Sequence, residues 1–171
     1  RRFAAFHTVY LVLAVGVSAS FITGDLFNLF VGFEMMLVAS YVLLTLGGRA
    51  GQVRSGMSYV VISLIASTFF ITALALIYSA AGTVNMAELA ERMPELSSGV
   101  RAGFSLLLIA VFGIKAGIFP LFFWLPDSYP TAPNAVTAIF AGLLTKVGVY
   151  AIIRTQLLLF PPDSQQGTIL L

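Results

Sequence analysis

Leu106-Leu107-Leu108-Ile109-Ala110-Val111-Phe112-Gly113-Ile114-Lys115-Ala116-Gly117-Ile118-Phe119-Pro120 is an apolar run with one lysine set inside it. Around it the chain stays apolar over about 102–124, roughly the 20 residues that a helix rising 1.5 Å per residue needs to cross bilayer hydrocarbon. Four more blocks of that length occur, at about 3–22, 26–46, 57–80 and 134–157. A soluble domain would interleave apolar and polar residues at period 3.6 or 2; here the apolar residues come in blocks. Of the 171 residues 59% are hydrophobic and 9% charged, against roughly 25% charged in an ordinary soluble domain. The fold class is therefore all-α integral membrane, with residues 1–171 a single transmembrane domain fragment of five helices.

The connections carry the turn chemistry such a bundle needs. Thr23-Gly24-Asp25 separates the first two spans, with Asp25 read as the cap of the second, and Gly47-Gly48-Arg49-Ala50-Gly51 separates the next two. The hydrophilic stretch about 81–101, with Glu88, Glu91, Arg92, Pro94 and Glu95, is an extramembrane loop with room for a short amphipathic helix. A proline-rich turn, 125–133, leads into the last span, and Phe160-Pro161-Pro162 starts a following loop. The opening Arg1-Arg2 and its hydrophobic run have the outline of a signal peptide. With further spans behind it, the stretch reads instead as a helix entrance within an excerpt.

Arg1, Arg2, Arg49 and Arg54 place their side of the membrane in the cytoplasm. An odd number of helices puts the two termini on opposite faces, so a second copy of the unit would insert upside down, as in the inverted repeats of secondary transporters. There is no cysteine and one histidine, His7, which reads as interfacial. Thiolate metal sites are excluded and neither a metal nor a cofactor is expected. The seven arginines are dispersed among helix ends and loops, which excludes a nucleic-acid partner.

The chain has two lysines, Lys115 and Lys146, and both fall inside spans, as does Glu34 in Leu29-Phe30-Val31-Gly32-Phe33-Glu34-Met35-Met36. Glu34 and Lys146 lie within about 3 Å of their helix midpoints and Lys115 within about 5 Å, too deep to reach headgroups. Each costs about 2.5–3.5 kcal/mol at that depth, so the three impose on the order of 8–10 kcal/mol. The remedies are pairing or hydration in a polar cavity between helices, or surrender of the charge by proton transfer. A group poised between its two protonation states carries protons. The bland alternative, a static pair of Glu34 with one lysine, leaves the other lysine unmatched.

Pro120 has no N–H for the Ala116 carbonyl and should break the span beside Lys115, while Gly113 and Gly117 would let another helix approach. Exposed backbone at a broken helix is where transporters place ion sites. Ser63 and Ser67 share a helix face and Thr145 adjoins Lys146, but hydroxyls are common at membrane helix contacts and packing is the expectation for them. Tyr10, Trp124 and Tyr129 read as interfacial aromatics, Asp127 as a turn residue and Arg154 as snorkelling from the end of the last span.

Three strings carry a resemblance. Gly24-Asp25-Leu26-Phe27-Asn28-Leu29-Phe30-Val31-Gly32-Phe33-Glu34-Met35-Met36-Leu37-Val38-Ala39-Ser40-Tyr41 resembles the glutamate helix of antiporter-like membrane subunits. Lys115-Ala116-Gly117-Ile118-Phe119-Pro120-Leu121-Phe122-Phe123-Trp124-Leu125-Pro126-Asp127 resembles their broken lysine helix, and Leu143-Leu144-Thr145-Lys146-Val147-Gly148-Val149-Tyr150-Ala151-Ile152-Ile153-Arg154 the lysine helix that follows. In this order, over nearly the whole chain, they are similar to the D-type subunits of Mrp-type sodium/proton antiporters. Relatives of that family are the proton-pumping membrane subunits of NADH:quinone oxidoreductase (complex I) and of membrane-bound hydrogenases.

The resemblance implies that Glu34, Lys115 and Lys146 titrate, Lys115 exchanging a proton with Lys146 while Glu34 sets its affinity by charge. It also implies one unit of an inverted-repeat antiporter-like fold, with the second unit outside this chain. The implied function is that of a multisubunit monovalent cation (sodium)/proton antiporter component in a bacterial plasma membrane, a secondary transporter and not an enzyme. Its partners would be other membrane subunits, lipid, protons and sodium. The alternative is a proton-pumping component of complex I or a related hydrogenase, with the redox chemistry in other subunits; Met35-Met36 and Ala39-Ser40-Tyr41 favour the antiporter. A third class, a structural membrane scaffold, would tolerate replacement of all three ionisable residues by apolar ones.

Overall fold

The computed structural model describes residues 2–130 and 132–160; Arg1 and the loop expected at Pro161-Pro162 lie outside them. The elements are α1 (Arg2–Ile22), α2 (Leu26–Thr45), α3 (Ala50–Ala81), α4 (Met86–Arg92) with a 3-10 turn (Met93–Glu95), α5 (Ser98–Ala116), α6 (Leu125–Ser128), α7 (Asn134–Ile139), a π turn (Phe140–Leu144) and α8 (Thr145–Leu159). Among the described residues five helices, counting α7 through α8 as one, are long and apolar enough to cross a membrane. The protein is an all-helical multi-pass membrane chain.

Two spans differ from their sequence reading. The third begins at Ala50, not near Met57, because the Gln52 side chain accepts the Arg49 amide (3.4 Å) and starts the helix at once. At 32 residues it is about 48 Å long, so its first turns, with Arg54, stand outside the hydrocarbon. The fourth runs Ser98–Ala116, starting and stopping earlier than 102–124.

Asp25 caps α2, its carboxylate accepting the amides of Phe27 (2.8 Å) and Asn28 (3.0 Å). Asn85 caps α4 in the same way. The two turns are joined main chain to main chain, Leu26 N donating to Val84 O (2.9 Å) and Met86 N to Gly24 O (2.8 Å). This pairing fixes the entrance of α2 to the exit of α3, with buried Met86, Leu89 and Met93 holding α4 down. Arg92 then closes the end of α3 by donating to Ala81 O (2.7 Å), a cation at the negative end of a helix. Asp25→Ala in the intact polypeptide should lower stability by about 1 kcal/mol through loss of the cap, read as a lower thermal midpoint.

α1 packs mainly on α2 at the edge of the bundle, while α2, α3 and α5 enclose the centre. α8 lies against α5, so closely that a Cβ on Gly148 would sit 2.6 Å from the Ala116 nitrogen. Arg154 does not snorkel freely: it donates to Phe21 O (3.2 Å) and to the Tyr150 hydroxyl (2.8 Å), which itself donates to Phe21 O (2.9 Å), tying α8 to the end of α1.

Candidate functional site

The site is built around the point where α5 stops. Gly117 takes the left-handed conformation (φ 66°), which costs a residue without Cβ nothing. The Ile118 amide donates back to Gly113 O (3.1 Å) and the Gly117 amide to Ile114 O (3.2 Å). The Ile118 side chain folds over Gly113, where a Cβ would lie 3.1 Å from it. The helix therefore ends at Ala116, four residues before Pro120, by a glycine stop, and not through the proline. Gly113 and Gly117 serve this stop; the close approach of a neighbouring helix to α5 is admitted by Gly148. Trp124 is buried inside the bundle: it is 5% exposed and donates its indole N–H to Ile114 O (2.9 Å), a second donor to the carbonyl that the Gly117 amide also reaches at the stop.

Stopping the helix leaves Lys115 in its last turn, turned toward α3. Its Nζ donates to Ser67 Oγ (3.0 Å) and to Ser63 O (3.3 Å) and sits 5.8 Å from the centre of the Phe33 ring. The Ser67 hydroxyl in turn donates to Glu34 Oε1 on α2. Among the described residues no carboxylate lies within 4.0 Å of Lys115, so base and acid communicate through the serine. Ser63 and Ser67, packing residues by their sequence, are thus parts of the site. The only signal for them is their i, i+4 spacing on one face, which ordinary helix contacts also show.

The surroundings of this chain of hydrogen bonds differ on its two sides. Toward α4, Phe33, Phe70 and Phe112 from α2, α3 and α5 interlock, with ring centres 5.0 Å (Phe70–Phe112), 5.8 Å (Phe33–Phe112) and 6.2 Å (Phe33–Phe70) apart. All three are at most 3% exposed, and they form a dry aromatic layer. Toward the α2–α3 turn lies a cavity of about 20 Å³ bordered by Lys115, Ser63, Tyr59, Trp124 and Leu144, enough for one water molecule. Tyr59, 5% exposed, shares a 2.7 Å hydrogen bond with Ser40, and this pair continues the polar side of the cavity.

Lys146 is not part of that cluster. It is exposed on the outer face of α8 and donates to Ala141 O and Thr145 Oγ1. The Ala141 carbonyl belongs to the π turn, where the regular i→i+4 bonding of the helix is interrupted. Tyr129 is half-buried, and its hydroxyl donates to Phe140 O (3.2 Å) in the same turn. Glu34 and Lys115 are thus brought together and Lys146 stands apart from them. Leu144, two residues before Lys146, borders the cavity, while Lys146 itself does not. His7 is exposed on α1.

A family model described as NADH:quinone oxidoreductase/Mrp antiporter, TM matches residues 23–171. The chain is 52% identical over 159 residues to the D-type subunit of a Na(+)/H(+) antiporter of Alkalihalophilus pseudofirmus, covering 92% of this chain and 32% of that one. It is 48% identical over 159 residues to the D-type subunit of a probable K(+)/H(+) antiporter of Rhizobium meliloti, covering 91% and 29%. Among solved structures it resembles a chain of the Mrp complex from Dietzia sp. (TM-score 0.85, 38% identity, 94% of this chain and 30% of that one). It also resembles a chain of the membrane-bound sulfane sulfur reductase, an archaeal respiratory membrane complex (TM-score 0.88, 34% identity, 95% and 34%). The chain spans about a third of the length of these relatives.

Proposed function

Because the chain belongs to the NADH:quinone oxidoreductase/Mrp antiporter transmembrane family, we propose that it is the proton-handling unit of a D-type subunit in a multisubunit monovalent cation/proton antiporter. The observation that carries this reading is the Lys115–Ser67–Glu34 chain at membrane depth, beside a helix stop, with room for a water molecule next to Lys115. The protein is a transporter component, sodium its cation, and its setting the bacterial plasma membrane among other antiporter subunits; the name of the Alkalihalophilus pseudofirmus relative supports sodium, that of the Rhizobium meliloti relative names potassium, and both support a transporter over a redox-driven pump. Protons enter from the cavity side, reside on Lys115 and pass by way of the cavity toward Lys146. In the complete polypeptide Lys146 is covered by the other, inverted unit, since a bare ammonium at that depth costs about 2.5–3.5 kcal/mol.

Lys115→Ala in the assembled complex in proteoliposomes should lower cation-dependent proton flux at least about tenfold, with the composition of the complex unchanged. Unaltered flux would reject the assignment. Replacing Glu34, Lys115 and Lys146 together by apolar residues separates this from a purely structural role, which predicts full transport.

A further inference from the structure

We propose that Ser67 is a proton relay: its hydroxyl carries a proton between Lys115 and Glu34, converting the charged couple into a neutral one and back. This rests on the reading of Lys115 as a proton carrier and adds to it a third reacting group.

The donors are already in line. Lys115 Nζ donates to Ser67 Oγ, and Ser67 Oγ donates to Glu34 Oε1. In the step, the Ser67 O–H bond breaks as its proton passes to the carboxylate, and one Lys115 N–H bond breaks as its proton passes to the serine oxygen. The products are a carboxylic acid, an amine and an intact serine; one proton has moved and nothing is oxidised or reduced. Lys115 and Glu34 are beyond 4.0 Å of each other, so a direct transfer has no path in this arrangement.

What separates Ser67 from an ordinary helix hydroxyl is where its proton points. On the same helix Thr68 and Thr72 bond back to the carbonyls four residues earlier, at 2.9 and 2.8 Å, the common resting place for such groups in membrane helices. Ser67 instead points across to α2, and the carbonyl four residues before it, Ser63 O, receives Lys115 (3.3 Å). Both the hydroxyl and the carbonyl it would otherwise use are committed to the ion couple. The physical gain is that neutralising both partners removes two charges from hydrocarbon in one movement. The acid formed faces the apolar groove of Val12, Phe30, Val31, Met35 and Val38.

The test compares Ser67→Ala, Ser67→Thr and Ser67→Val in the assembled complex. Threonine and valine differ only in a hydroxyl and a methyl, so the pair isolates the relay from side-chain volume. Flux should fall at least about tenfold in the alanine and valine variants and stay within about threefold in threonine. In infrared difference spectra, the protonated-carboxyl band assigned through Glu34→Gln should be lost in Ser67→Ala and kept in Ser67→Thr. Valine as active as threonine, threonine as impaired as valine, or a band unchanged in Ser67→Ala would overturn the relay. If Lys115→Ala also transports normally, the functional reading falls with it; if Lys115→Ala is inactive while Ser67→Val transports, the relay alone is wrong. Should alanine block assembly, the threonine–valine comparison decides.

Discussion

Alanine at position 148 is expected to destabilise the assembled protein by about 1–3 kcal/mol, and valine by more. The added Cβ would meet Ala116 at its nitrogen (2.6 Å), Cα and Cβ (both 2.9 Å), so no side-chain rotation relieves the clash and α5 and α8 must separate. Membrane helices gain little from hydrophobic exclusion between them and depend on van der Waals fit, which a gap forfeits over the whole contact. Ala116 is also the neighbour of Lys115 and the last residue of α5, so separation shifts the ammonium from its seat on Ser67. The thermal midpoint of the purified complex and its flux should fall together. A Gly148→Ala complex of parental stability would show that the two helices are not so closely packed.

Asparagine at position 112 is expected to open a proton leak that needs no cation. Phe112 closes the aromatic layer against Phe33 and Phe70; asparagine removes volume and supplies polar atoms, which together let water stay. Wetting the layer relieves much of the about 2.5–3.5 kcal/mol that a charge pays there, and at 1.4 kcal/mol per decade passive flux should rise about a hundredfold. Phe112→Leu leaves the layer apolar and should remain tight. Dye-reported proton entry into cation-free proteoliposomes distinguishes the two; an asparagine variant as tight as the leucine one would place the barrier elsewhere.

The spans are readable from sequence because hydrocarbon imposes block length and apolar content before any tertiary contact forms. Their ends are less so. The stop at Gly117 competes with a proline three residues on, and only the backbone conformation shows that the glycine acts first. The start at Ala50 depends on one side-chain bond from Gln52. Glu34 and Lys115 announce themselves by cost, but the residue joining them does not, since a serine in a membrane helix pays little and has many uses. Trp124 misleads for a related reason: an indole suits the interface, and its burial here goes with a bond to Ile114 O that the ended helix makes reachable. The outward face of Lys146 and the π turn before it leave no trace in Phe140-Ala141-Gly142-Leu143-Leu144, whose composition suits an unbroken α-helix equally well.

The lopsided placement of water room and aromatic layer bears on how voltage acts. A transmembrane voltage drops most steeply where no mobile water or ions screen it, so if water reaches Lys115 from the α2–α3 side, the greater part of it falls across Phe33, Phe70 and Phe112. With about 2.3 kcal/mol per elementary charge per 100 mV at stake, filling Lys115 by such a wetted route would be nearly indifferent to membrane polarisation. The electrical work falls on whichever later movement carries charge past the phenylalanines.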